Sequence, residues 1–235
     1  MKIGIVVAVE FEAINIVLGE PTSTMQLCNQ EVSVYKRQAH ELYLYRSGPG
    51  EIAATIATQR LISECKVDII MNYGIVGGLS EEMKIQSICI VDKVVHYDFD
   101  TSQIDNVEIG RYSDYPSIYL YPSRTLIQIA KEVEPRLYEA TCASGDKFVG
   151  SMEKKNELRE TFSADICEME AAGILLTCHK NKIPSLFIKV VSDGLTGDAN
   201  EYWSEKKSTS VLALEVLLKI IDQLTESSFD TGFEA

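Results

Sequence analysis

Carboxylates at the ends of apolar runs are the first residues in this chain that could do chemistry. Glu12, Glu168, Glu170 and Asp193 each close or follow a β-rich stretch, within four clusters at residues 8–12, 72–79, 167–170 and 189–193. Open α/β sheets collect their ligands at such strand ends. Carboxyl groups there can serve as general acid or base, or as bidentate acceptors for a diol. Each also has a plainer reading: Glu12 as a first-turn acid favoured by the helix dipole, Glu168 and Glu170 as capping residues, and Asp193 as a helix cap or turn residue.

The elements that must position these clusters follow from periodicity. Residues 2–9 read as a strand feeding a helix over 10–18, and 32–39 and 42–46 as two further strands. Gly48, Pro49 and Gly50 then break the chain before a helix over 51–63. Buried strands are expected at 68–72, 85–95, 137–143, 164–168 and 186–191, and helices at 124–133, 152–161, 170–179 and 205–224. Residues 98–116 are polar, aromatic and aperiodic, which predicts a long functional or mobile loop. The alternation predicts a single α/β domain over 1–226, a mixed, mostly parallel central sheet flanked by helices. Residues 227–235 are expected to form a disordered or loosely docked tail.

Composition narrows the partners. The 235 residues are 46% hydrophobic and 24% charged, with 35 acidic against 22 basic side chains and a formal charge of -13. That balance argues against nucleic acid or an anionic membrane surface as partner. No apolar run approaches bilayer length and no signal-peptide layout opens the chain, so a cytoplasmic location is expected. The six cysteines are dispersed without a Cys-x-x-Cys pair and are expected as buried thiols. No G-x-G-x-x-G, Walker lysine motif or H-x-x-x-H pair occurs, so no nucleotide cofactor and no metal are expected.

Taken in order, M-K-I-G-I with A-V-E-F-E, S-G-P-G, N-Y-G-I-V-G-G-L, S-G-D-K-F-V, C-E-M-E-A-A-G and V-S-D resemble the nucleoside phosphorylase and nucleosidase superfamily. The resemblance is strongest to its bacterial 5'-methylthioadenosine/S-adenosylhomocysteine nucleosidases and implies a nucleoside phosphorylase-like fold. It also implies hydrolysis of the N-glycosidic bond of a 5'-modified adenosine, releasing adenine. In this correspondence Glu12 takes a proton from the attacking water. Asp193, oriented by Ser192, donates a proton to purine N7. Glu170 binds the ribose hydroxyls, with Glu168 beside it and Met169 packed on the sugar. Phe148 stacks on the base, and the Val149 backbone reads its Watson-Crick edge. Val9, Pro49, Met169 and Trp203 belong to an apolar 5' subsite. A homodimer is also implied, in which a neighbour's loop closes that subsite.

Two departures bear on mechanism. Ile75 stands where the family has a serine near the sugar, which a phosphorylase uses for phosphate. Lys189 replaces an arginine beside the catalytic water, keeping the charge but losing the planar fork. The opening also lacks the G-D-P-x-R anion loop of the phosphorylases. Hydrolysis is therefore expected over phosphorolysis, with a nucleoside-binding protein of little or no turnover as the alternative, and a phosphorylase or an α/β interaction protein without a working pocket beyond that.

Overall fold

The computed structural model describes residues 1–225; the expected tail at 227–235 lies outside the described residues. The chain opens with β1 (Lys2–Val7), α1 (Phe11–Val17), β2 (Ser23–Leu27), β3 (Gln30–Arg37), β4 (His40–Arg46) and α2 (Glu51–Arg60). It continues through β5 (Ile69–Gly78), β6 (Ile88–His96), α3 (Ser102–Asp105), β7 (Tyr119–Leu120), α4 (Arg124–Val133) and β8 (Tyr138–Ser144). The last elements are α5 (Met152–Phe162), β9 (Ile166–Glu168), α6 (Ala171–Asn181), β10 (Ser185–Asp193) and α7 (Ala199–Ile221).

Strands β1, β5 and β10 are near-continuous β-branched and apolar runs because both faces of their sheet are covered. β5 pairs with both β1 and β10, β10 pairs with β6, β6 with β8, and β8 with β9, which returns to β5. Five strands thus close on themselves, while β1, β4, β3 and β2 extend outward as an arm. The sheet is mixed as expected, but its parallel and antiparallel pairings are evenly balanced. The closure aligns Asp193 with Gly77, Gly77 with Cys167 and Ser144 with Glu168, bringing the ends of four strands together.

Helices α1, α4 and α7 cover one face, burying Ile14, Leu126 and Leu217 against Ile3, Ile188 and Val190. Helices α2 and α6 cover the other, with Ala54, Ala57 and Leu175 against Val6, Ile70 and Phe187. The edge strand β2 was missed in the sequence because most of its residues are exposed and carry no apolar alternation. The segment at 98–116 is built around rings rather than periodicity: Phe99 and Tyr112 stack at 4.2 Å, and Tyr115 stacks on His179 at 5.7 Å. Cys28 is exposed and the other five cysteines are buried, all as free thiols. Among the described residues, no helix is long and apolar enough to cross a membrane.

Ile188 lies fully buried in β10, paired with Tyr73 on one side and Ile90 on the other, where the ring and the α7 face meet. Truncation there leaves a cavity that the hydrogen-bonded strands cannot collapse to fill. Ile188→Ala is expected to lower unfolding stability by about 2–5 kcal/mol, measured by urea titration.

Candidate active site

Strand ends and the loops after them build one cleft. Ala8, Val9 and Glu10 come from the β1–α1 turn, Ile75 to Gly77 from β5, and Lys147 to Val149 from the loop after β8. Cys167 to Glu170 follow from β9, Ser192 and Asp193 from β10, and Tyr202 from the first turns of α7. Pro49, before α2, completes the wall. Of the residues expected at a site, Val9, Pro49, Ile75, Phe148, Val149, Glu168, Met169, Glu170, Ser192 and Asp193 all line this cleft. Lys189 lies directly beneath it, buried against Glu168.

Two expected residues lie elsewhere. Glu12 sits in the first turn of α1 with 65% of its side chain exposed, and its Oε1 meets Lys207 Nζ at 2.7 Å. Glu10 occupies the cleft instead and is buried; its Oε2 accepts from the Val9 N–H at 2.9 Å and its Oε1 from the Ile75 N–H at 3.2 Å. Two residues apart at a helix start means roughly 200° of rotation, so the two acids face opposite ways. Trp203 is 66% exposed and does not line the cleft; its ring packs edge-on to Tyr202 at 5.2 Å. Tyr202 faces Phe148 edge-on at 5.6 Å and lines the cleft, where Trp203 does not. The signal for it was available: Asp198 caps α7 by accepting from the Asn200 and Glu201 N–H groups, which starts the helix ahead of the expected 205 and orients position 202.

The acids are held by a dense set of donors. Glu168 accepts from the N–H groups of Glu170 and Ala171 and from Lys189 Nζ at 3.0 Å. Burial opposes its charge, but the Lys189 ammonium and these hydrogen bonds hold its carboxyl below the usual range. Burial likewise opposes charge on Lys189, and the Glu168 and Glu170 carboxylates push its pKa up. Glu170 accepts from the Gly50 N–H at 3.0 Å; burial and then the charge of Glu168 raise it to about 8, with Lys189 opposing. Gly74 keeps the floor open: a Cβ there would stand 3.1 Å from Glu10 Oε1 and 3.5 Å from Lys189 Nζ, so both head groups converge under a residue without a side chain. Asp193 is fully buried, with Ser192 Oγ donating to its Oδ1 at 2.9 Å and Lys155 Nζ to its Oδ2 at 2.7 Å.

Sequence reasoning passed over Glu51 and Lys155. Glu51, at the start of α2, is buried between the Ser144 hydroxyl and the Gly173 N–H. Its only sequence signal was an acid opening a helix after Gly-Pro-Gly. Lys155 lies in α5 among charged residues and reads there as solvated. Among the described residues, no group of His, Cys, Asp and Glu could hold a metal ion.

This fold, with carboxylates converging at the strand ends, is that of a nucleoside-cleaving α/β protein, and the Phosphorylase superfamily model matches residues 2–226. A 5'-methylthioadenosine/S-adenosylhomocysteine nucleosidase of Shewanella loihica is 31% identical over 206 residues, 85% of this chain and 89% of that one. Futalosine hydrolase of Helicobacter pylori, solved as a mutant, superposes with a TM-score of 0.89 at 26% identity, covering 95% of this chain and 100% of its own. An aspartate-to-asparagine mutant of the H. pylori 5'-methylthioadenosine/S-adenosylhomocysteine nucleosidase, solved with 5'-methylthioadenosine in its active site, gives 0.88 at 25% identity, covering 95% of this chain and 99% of its own. The chain belongs to the phosphorylase superfamily, in the family of 5'-methylthioadenosine/S-adenosylhomocysteine nucleosidases.

Burial raises Glu51 to about 8, reinforced by the charge of Glu168. An acid that titrates near 4.5 when unfolded and near 8 when folded binds more protons in the fold between those values, so its contribution to stability is lost as pH rises through that window. Glu51→Gln can keep both hydrogen bonds without the charge. Its unfolding free energy is expected to fall less steeply from about pH 5 to 9, by up to about 1.4 kcal/mol per pH unit, so that it overtakes wild type at the alkaline end of a melting-temperature series.

Proposed function

We propose that this chain hydrolyses the N-glycosidic bond of 5'-methylthioadenosine, S-adenosylhomocysteine or a closely related 5'-modified adenosine, releasing adenine. The observation that carries the reading is that one cleft is lined by four buried carboxylates in different settings, Glu10, Glu168, Glu170 and Asp193, of which Glu168 is taken up by Lys189. Glu10, held by two backbone N–H groups above the Lys189 ammonium, is suited to take a proton from water as the C1'–N9 bond breaks. Glu170 offers its carboxyl group, an acceptor oxygen together with an O–H when protonated, to the ribose hydroxyls, with Met169 against the sugar. Asp193 protonates purine N7, so the base leaves neutral, while the sugar passes through an oxocarbenium-like state. Phe148 and Tyr202 frame the base, and the Val149 backbone reads its edge.

Ile75 does not defeat this arrangement, because its backbone N–H rather than a side chain binds Glu10. It does disfavour phosphorolysis. The only cation lining the cleft among the described residues is Lys147, and Lys189 is already engaged by Glu168. A phosphate dianion would meet buried carboxylates with no arginine to receive it.

A homodimer is proposed on the apolar surface of α2. Ile52 and Ile56 are 73% and 49% exposed on one helix face, beside a hollow that includes Tyr112 and Leu176. A cytoplasmic location is proposed with it, in keeping with an acidic composition that disfavours an anionic membrane surface. Light scattering is expected to give twice the chain mass, and Ile52→Glu with Ile56→Glu to give a monomer. A monomeric wild type sinks the assignment.

Incubation with 5'-methylthioadenosine, S-adenosylhomocysteine and futalosine, with and without phosphate, is expected to release free base and free sugar at rates independent of phosphate. Formation of a sugar 1-phosphate would overturn hydrolysis, and tight binding without release would leave a binding protein. Glu10→Gln is expected to lower kcat by on the order of 100 to 10,000-fold, while Glu12→Gln stays close to wild type. The reverse ranking would return the base to Glu12.

A further inference from the structure

Lys155 is a fully buried lysine on α5 that the reaction as described leaves without a task. Its ammonium meets three oxygens, Asp193 Oδ2 at 2.7 Å, the Gly194 carbonyl at 2.6 Å and the Gly197 carbonyl at 3.3 Å, which matches its three N–H donors. Ser192 holds the other carboxyl oxygen of Asp193 at 2.9 Å, so both oxygens are fixed from outside the cleft. The fold leaves room for this pair. A Cβ on Gly77 would stand 3.1 Å from Asp193 Oδ2, 3.0 Å from Cys167 Sγ and 3.7 Å from Lys155 Nζ, so only a glycine lets β5 pass beside the two head groups.

We propose that Lys155 is the positioning residue of the leaving-group acid: its ammonium fixes the Asp193 carboxyl and stabilises the carboxylate formed when Asp193 gives its proton to the purine. The inference rests on the nucleosidase reading of the cleft. Asp193 takes up a proton from water before the bond breaks; as the C1'–N9 bond then breaks, its electron pair moves into the base, the Asp193 O–H bond breaks and an N7–H bond forms. The negative charge left on Asp193 then lies against Lys155 and the Ser192 hydroxyl at a buried position, where a fixed charge needs little reorganisation to act. Lys155 gives up no proton in this step. It also ties α5, the helix after the base-binding loop, to the turn that leads into α7 and Tyr202, so the acid is set relative to both walls that hold the purine.

A structural role and a role in leaving-group departure separate by the choice of leaving group. A 5'-methylthioriboside of p-nitrophenol departs as a stabilised anion and needs no proton, whereas adenine needs one. Lys155→Met is expected to lower kcat for adenine release by on the order of 100-fold with little change in KM, and for p-nitrophenol release by less than about fivefold. Lys155→Arg, which retains the charge, is expected to recover part of the loss. In an Asp193→Asn background Lys155→Met is expected to cost no further kcat, and this neutral double variant supplies a folded protein if the single change strands a buried charge. Equal losses with the two leaving groups, or losses that add in the Asp193→Asn background, overturn the role and leave Lys155 a scaffold residue. Wild-type protein that releases no adenine overturns the nucleosidase reading and this inference together; wild-type turnover with equal losses overturns the inference alone.

Discussion

One ammonium stands under three acids. Lys189 is buried in the middle of β10, pairs with Glu168 at 3.0 Å and reaches toward Glu170 and Glu10. Taking a lysine and several carboxylates out of water is costly, and removing one member of such a pair typically costs about 3–5 kcal/mol because the other is left unpaired. The surroundings are arranged to avoid that. Backbone N–H groups from Val9, Gly50, Glu170, Ala171 and Ile75 point at the carboxylates, and Gly74 leaves space for two head groups to approach. The local fold at five chain segments is therefore coupled to the ionisation of one cluster. The result is a set of acids with different protonation: Glu168 held ionised, Glu170 and Glu51 pushed up toward neutrality.

Closure of the sheet makes this cluster possible. In an open sheet β9 and β5 would be separated by every strand between them. Here β9 returns to β5, and the register puts Gly77 beside both Cys167 and Asp193. Glu168 on β9 and Glu170 on the following turn are thereby set next to Asp193 on β10. The strands that do this are buried on both faces, which makes the cleft floor rigid, while its upper wall, carrying Phe148 and Tyr202, is made of exposed or half-buried rings.

Periodicity revealed most of this frame because the central strands are continuous β-branched runs and the helices carry clear breaks and caps. It failed where burial was absent or the pairing short, as at β2 and the two-residue β7. The site was legible in part through motifs: C-E-M-E and V-S-D locate Glu168, Glu170 and Asp193 in the cleft. The two expected residues that lie outside the cleft share one cause, the rotation of a side chain about its helix. A motif names A-V-E-F-E but not the residue at which α1 begins, and starting the helix at Phe11 turns Glu10 inward and Glu12 out. The same shift at α7 exchanges Trp203 for Tyr202. Lys155 and Glu51 were invisible for another reason: a charged residue in a polar-looking segment gives no local sign that a distant acid or hydroxyl will bury it.

The two departures that the resemblance implies, at positions 75 and 189, have linked consequences. An isoleucine in place of a hydroxyl residue at position 75 takes a hydrogen-bond donor away from the cleft, and a lysine in place of arginine at position 189 takes away a fork that could hold two oxygens at once. A compact ammonium can approach Glu168 at 3.0 Å while staying buried beside Glu10, and the Ile75 backbone supplies Glu10 with the donor its side chain lacks. The donors to Glu10 therefore come from the main chain, fixed by the sheet, instead of from side chains with rotamers to order. Main-chain donors of this kind lose no side-chain entropy on engagement and cannot swing to receive a phosphate. The residues at 75 and 189 thus keep a buried, main-chain-held carboxylate at position 10 while offering no side-chain donor to an anion in the cleft.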